Sequence, residues 1–119
     1  MAGKTTEWVT RPWGRFLTVH TAPGLWVKTI TINPWSQLSL QIHEHRDEFW
    51  HSPEGRIHAE IGNDHIILQD NEVYHVPAGV RHRLINPSHY ELSLVEVATG
   101  NPEENDIIRL EDDYGREEL

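Results

Sequence analysis

The chain has 119 residues, 37% of them hydrophobic and 24% charged, with five tryptophans. That is too apolar and too aromatic for a disordered chain, and the length predicts one domain, residues 1–119. It has no cysteine, which excludes disulfides, thiolate zinc sites and cysteine nucleophiles. Of the net charge of −9, most sits in residues 101–119, with 8 acids and 2 bases, leaving 11 acids against 8 bases elsewhere. Neither part has the basic footprint of a nucleic-acid binder.

The first seven residues, Met1 to Glu7, hold no apolar h-region, and no apolar run approaches the roughly 20 residues of a membrane span. The expectation is a cytoplasmic protein with no membrane partner. Along the chain, Arg15 to His20 reads as a strand ending at Ala22-Pro23-Gly24, and Leu25 to Ile32 alternates up to Asn33-Pro34. Gln37 to His45 alternates again, and Glu48 to His51 leads into Ser52-Pro53-Glu54-Gly55. Arg56 to Ile61, His65 to Gln69, Val73 to Val76, His82 to Ile85 and Tyr90 to Ala98 follow, each closed by Gly, Asn, Asp or Pro. About nine strands at this spacing predict an all-β sandwich or barrel. Its core is expected over residues 11–100, with an acidic extension over 101–119 whose conformation periodicity leaves open.

Nine histidines meet this strand pattern. In Gln37 to His45, period two puts Leu38, Leu40 and Ile42 on one face and Ser39, Gln41, His43 and His45 on the other. A second face made of nitrogen and oxygen donors suggests a polar cavity. Glu48 follows three residues after His45, and His82 opens a later strand behind Pro77-Ala78-Gly79. Two imidazoles and a carboxylate joined by sheet pairing make a three-ligand set for a divalent ion, to which Gln41 can add an amide oxygen. The other histidines, His20, His51, His58, His65, His75 and His89, read as ordinary surface residues.

Pro77-x-Gly79-x-x-His82-x-x-x-Asn86 resembles the second motif of the cupin family, with Asn71 at its opening glycine. The first cupin motif fits with Gln41 at its first histidine position, followed by His43, Glu48 and Gly55, and with Trp35 at its opening glycine. Within the cupins the chain is similar to the type II mannose-6-phosphate isomerases, best known as the C-terminal domain of bifunctional mannose-1-phosphate guanylyltransferase/mannose-6-phosphate isomerases. The resembling stretches include Arg11-Pro12-Trp13-Gly14, Leu38 to Trp50, Val76 to Pro87, Leu94 to Val97 and Asn105 to Arg116. No glycine-rich phosphate loop for a nucleotidyltransferase is present.

The resemblance implies a single-domain double-stranded β-helix, a jelly-roll-like barrel. It implies Gln41, His43, Glu48 and His82 as ligands of one divalent ion (Zn, Mn, Co or Ni), a sugar phosphate as partner, and a homodimer. The reaction implied is interconversion of mannose 6-phosphate and fructose 6-phosphate through an enediolate. Arg11, Lys28, Arg46 and Arg109 are then the phosphate and substrate binders. The proton shuttle is expected at His45, which shares the ligand face under ideal alternation, or at Lys28, with Arg46 beside them in the catalytic group. Two alternatives stand beside this. His43, Glu48 and His82 also form the 2-His-1-carboxylate set of iron oxygenases. A non-catalytic sugar-phosphate-binding cupin is the other, since Trp35, Phe49 and Trp50 to Glu54 depart from the family pattern.

Overall fold

Alternating apolar and polar residues, punctuated by turn formers, give a chain that pairs with itself at almost every step. The computed structural model describes residues 7–53 and 55–116, and these form twelve strands and no helix. They are β1 (Val9–Arg11), β2 (Gly14–Ala22), β3 (Leu25–Ile32), β4 (Ser36–Gln37), β5 (Leu40–Ile42) and β6 (Arg46–His51). β7 (His58–Ile61), β8 (Asp64–Ile67), β9 (Val73–Val76), β10 (His82–Asn86), β11 (Leu92–Gly100) and β12 (Ile108–Glu111) complete the series.

One six-stranded sheet runs β1-β2-β3-β11-β6-β9; the other runs β12-β5-β10-β7-β8, with β4 also pairing β10. Every pairing is antiparallel. The two sheets share a core that includes Trp13, Phe16, Ile30, Ile32, Trp50, Ile57, Leu84, Leu92 and Leu94. Gly14 allows the β1–β2 hairpin to lie against β3, because a Cβ there would come within 2.1 Å of the Thr31 carbonyl oxygen.

The inward column of each long strand changes character along its length. On β3 it passes from Lys28 to Ile30 and Ile32, and on β11 from Glu96 to Leu94 and Leu92. Register aligns these changes: Lys28 pairs with Glu96, Ile30 with Leu94 and Ile32 with Leu92. One end of the barrel is therefore filled with apolar side chains, and the other is lined with charges.

Sequence and structure differ at three places. The expected strand over Gln37 to His45 is broken into β4 and β5, and the chain leaves the sheet after Ile42. The expected alternation therefore stops before His45, which is exposed. The segment left open at the C-terminus contains a strand, β12, whose register sets Ile108 against Ile42 and Arg109 against Gln41. Val9–Arg11 adds an edge strand that its three-residue length hides from pattern reading. The expectations for residues 1–6, for Glu54 in its turn and for residues 117–119 lie outside the described residues.

Candidate metal centre and cationic cavity

His43, Glu48 and His82 are brought together at the polar end of the barrel, with one ligand atom from each within 4.8 Å of the others. All three are buried, with 2–4% of their surface exposed. His43 Nε2 lies 3.2 Å from Glu48 Oε2, and His82 Nε2 lies 3.7 Å from Glu48 Oε1. β10 places Gln41 of β5 directly opposite His82. The Gln41 amide nitrogen donates to the carbonyl and hydroxyl oxygens of Ser39, at 3.2 and 3.1 Å.

The backbone fixes the tautomer of both rings. His43 Nδ1 donates to the carbonyl oxygen of Asp106 (2.7 Å), and His82 Nδ1 to that of Val80 (3.0 Å). A carbonyl can only accept, so each Nδ1 carries the proton, and in the neutral ring Nε2 keeps its lone pair. Arg46 Nη2, which can only donate, meets His43 Nε2 at 3.0 Å. Burial, set against the pull of Glu48, lowers the His43 pKa to about 4, so the ring is neutral at pH 7. Burial alone would raise the Glu48 carboxyl, but His82, His43 and Arg46 outweigh it and hold it at about 2. Glu48 also accepts from Arg46 Nε at 2.9 Å and Trp50 Nε1 at 3.1 Å. Two imidazoles oriented by backbone carbonyls and one ionised carboxylate form a donor set that fits a divalent ion.

The cavity beside this group is lined by Gln41, Glu48 and His82, and by the cations Arg11, Lys28, Arg46, Arg83, Arg109 and Arg116. Lys28 is buried, with Nζ 3.8 Å from the Trp26 ring centroid and 4.1 Å from that of Phe16. Its ion-pair partner is Glu104, from the segment between β11 and β12. That segment also supplies the Glu103 carbonyl oxygen, which accepts from Arg46 Nη1 at 2.8 Å. The buried Nε of Arg109 has no hydrogen-bond partner. An orphaned guanidinium donor on a cavity wall is a place for an anionic ligand.

Residues 2–112 match the family model described as Mannose-6-phosphate isomerase C-terminal. The chain belongs to this family. Among this domain's relatives, xanthan biosynthesis protein XanB of Xanthomonas campestris pv. campestris is 41% identical over 109 residues. Mannose-1-phosphate guanylyltransferase ManC of Salmonella typhimurium and alginate biosynthesis protein AlgA of Pseudomonas aeruginosa are each 39% identical over the same length. In all three the match covers 91% of this chain and 23% of the relative, so the chain spans less than a quarter of their length. Solved structures place the fold among the cupins. An RmlC-like cupin from Shewanella frigidimarina aligns with a TM-score of 0.73 at 16% identity, over 87% of this chain and 92% of that one. CapF of Staphylococcus aureus aligns at 0.76 and 18%, over 88% and 34%.

The two cupin motifs of this mannose-6-phosphate isomerase C-terminal domain have a physical basis in the chain. Trp35 and Asn71, at the positions where the motifs open with glycine, are the only non-glycine residues with positive φ among those described, at 55° and 62°. Gly79 N donates to the His43 carbonyl oxygen at 2.8 Å, tying the second motif to the first. Asn86, 1% exposed, closes the motif by donating from Nδ2 to the carbonyl oxygens of Ile32, Asn33 and Tyr90.

Among the residues singled out from sequence, Gln41, His43, Glu48 and His82 converge, and Arg11, Lys28, Arg46 and Arg109 line the adjoining cavity. His45 does not join them: it is exposed and off the cavity wall, because β5 ends before it. Arg83 and Arg116, cations that the sequence also offered for a phosphate, stand on the same wall, Arg116 held by Asp112 at 2.7 Å, whereas the buried carboxyl of Glu96 has no role in the sequence reading. The signal for Glu96 is in the pattern, since period two sets it among Leu92, Leu94 and Ala98, one charge in an apolar column.

Proposed function

We propose that the chain is a metal-dependent aldose–ketose isomerase that interconverts mannose 6-phosphate and fructose 6-phosphate. One observation carries this reading: Glu48 and His82 of the buried His/Glu/His group line the same cavity as an orphaned guanidinium donor, on Arg109. The family description and the names of the relatives point to the same class of sugar phosphates.

Gln41, His43, Glu48 and His82 would hold the ion, which, when bound, supplies Lewis-acid stabilisation of the negative charge that develops on the sugar oxygens. Ser39 orients the Gln41 amide through its nitrogen, and the Asp106 and Val80 carbonyls keep both imidazoles aimed at Glu48. Arg109, Arg11 and Lys28 bind the phosphate, for which a guanidinium fork gives two parallel hydrogen bonds. Arg46 bridges the halves of the site, touching Glu48 and His43 on one side and the Glu103 carbonyl on the other. Trp13, Phe16 and Trp50 form the aromatic part of the cavity wall.

The test is a coupled assay of protein reconstituted with Zn, Mn, Co or Ni, following fructose 6-phosphate formed from mannose 6-phosphate. Turnover with at least one ion supports the reading. Binding of the sugar phosphate without turnover selects the non-catalytic cupin, and oxygen consumption with iron(II) selects the oxygenase. We further propose a homodimer in solution, consistent with the uncharged outer row of Leu17, Thr29 and Val95 across the larger sheet; light scattering would decide it. Among the described residues no helix is long and apolar enough to cross a membrane.

A further inference from the structure

Glu96 is buried at 6% exposure, faces inward from β11 and lines the same cavity as Glu48 and His82. Its neighbours across the sheet are Lys28 on β3 and Trp50 on β6. The bland account of such a carboxylate is that it neutralises the lysine opposite it. The hydrogen bonds speak against that. Lys28 is paired with Glu104, and Arg46 is committed to Glu48, His43 and the Glu103 carbonyl. The hydrogen bond made to Glu96 comes from a neutral donor, Trp26 Nε1, which meets Oε2 at 2.9 Å. Oε1 is left for the cavity. A buried carboxyl held by one indole and left out of the ion pairs around it is costly as structure and useful as chemistry.

The structure assigns Glu96 as the catalytic residue that carries the proton between C1 and C2 of the sugar, with Trp26 holding one carboxylate oxygen and the other facing the substrate. This rests on the isomerase reading above. The C2–H bond of the open-chain aldose breaks as a bond forms to Glu96 Oε1, and the electron pair left behind becomes the C1–C2 double bond while the C1 carbonyl pair moves onto O1. The O2 proton passes to O1. The Glu96 O–H bond then breaks to form C1–H, and C2 becomes the carbonyl. Glu96 begins and ends as a carboxylate, and nothing is consumed.

The other candidates fit this role less well. His45 lies off the cavity, Lys28 is held between two rings and Glu104, and Glu48 accepts from both Arg46 and Trp50. Burial, reinforced by the charge of Glu48 and opposed by Lys28 and Arg46, pushes the Glu96 carboxyl up to about 8.

The test compares the full chain with Glu96→Gln and Glu96→Asp, each loaded with the ion that supports turnover, using mannose 6-phosphate deuterated at C2. The unaltered chain is expected to show a primary isotope effect. Glu96→Gln is expected to lose turnover by about 10²- to 10⁴-fold, while its calorimetric affinity for mannose 6-phosphate and its metal content stay within about threefold. Turnover of Glu96→Gln within about tenfold of the unaltered chain would overturn the assignment. Should Glu96→Gln fail to fold, Glu96→Asp decides, because its shorter reach must slow proton transfer and leave binding intact; full turnover there overturns the assignment equally. An unaltered chain inactive with every ion removes the isomerase reading and this assignment with it, whereas an active chain with an active Glu96→Gln removes the assignment alone.

Discussion

Glu44, His45 and Asp106 bring an imidazole and two carboxylates within 4.8 Å of one another, the same closeness found for His43, Glu48 and His82. The two groups begin one residue apart in the chain and are physically unlike. In the buried group each imidazole has its Nδ1 tied to a carbonyl, and both Nε2 atoms turn toward one carboxylate. In the outer group Glu44 and His45 are exposed, and the Asp106 carboxylate is already taken, Oδ1 by the Glu44 amide at 3.0 Å and Oδ2 by that of His45 at 2.8 Å. Asp106 is a clasp that holds the segment between β11 and β12 against the end of β5. Residue type and proximity make both groups look alike; what the second layer does with the remaining lone pairs separates them.

The sharpest way to break this contrast is Glu48→Ala. It leaves Arg46 buried beside an unfilled space and should cost about 3–5 kcal/mol in urea unfolding. It should also abolish metal uptake measured by calorimetry. Asp106→Ala should cost less, about 1–3 kcal/mol for two amide–carboxylate bonds, and His45→Ala less still, both with metal uptake kept. If either outer substitution lowered metal affinity as far as Glu48→Ala, the distinction between the groups would be lost.

Acid and alkali should act on different parts of the site. His43 titrates near 4 in the fold against 6.5 in the unfolded chain, so between those values the unfolded chain binds the extra proton, and stability falls as pH drops from 6.5 toward 4. Glu48, lowered from 4.5 to about 2, adds a further loss below pH 4.5. Glu96 works the other way: raised from 4.5 to about 8, it costs stability increasingly as pH rises across that interval. Thermal unfolding at a series of pH values should show both limbs, and Glu96→Gln should flatten the alkaline one only. The smallest effect is expected at Trp35, where a bulky side chain sits at φ 55°. Trp35→Gly should raise the melting temperature slightly, by less than about 1 kcal/mol of stability, because relief of the left-handed strain is partly offset by glycine's freedom when unfolded.

Much of the fold is legible in the sequence because its cause is local. Alternation marks the long strands, and the spacing from Pro77 to Asn86 encodes a turn, an inward histidine and a buried amide that staples three carbonyls. What escaped pattern reading depends on partners far along the chain. β4 is only two residues long and β12 lies in an acidic segment whose pattern leaves its conformation open, and they exist because β10 and β5 offer them edges. The break after Ile42, which turns His45 outward, is set by Asp106, some sixty residues later. Glu96 and Lys28 were visible as charges in apolar columns, yet the column alone does not reveal that each turns to a different partner.

The segment from Glu103 to Arg116 supplies the acceptor for His43, the partner of Lys28, the carbonyl that steadies Arg46, and both Arg109 and Arg116. Each of these lies later in the chain than every strand but β12. β1 to β11 can therefore pair during synthesis before the acceptor for His43 and two of the cavity's guanidinium groups have emerged, so the sheets and the site are completed at different moments.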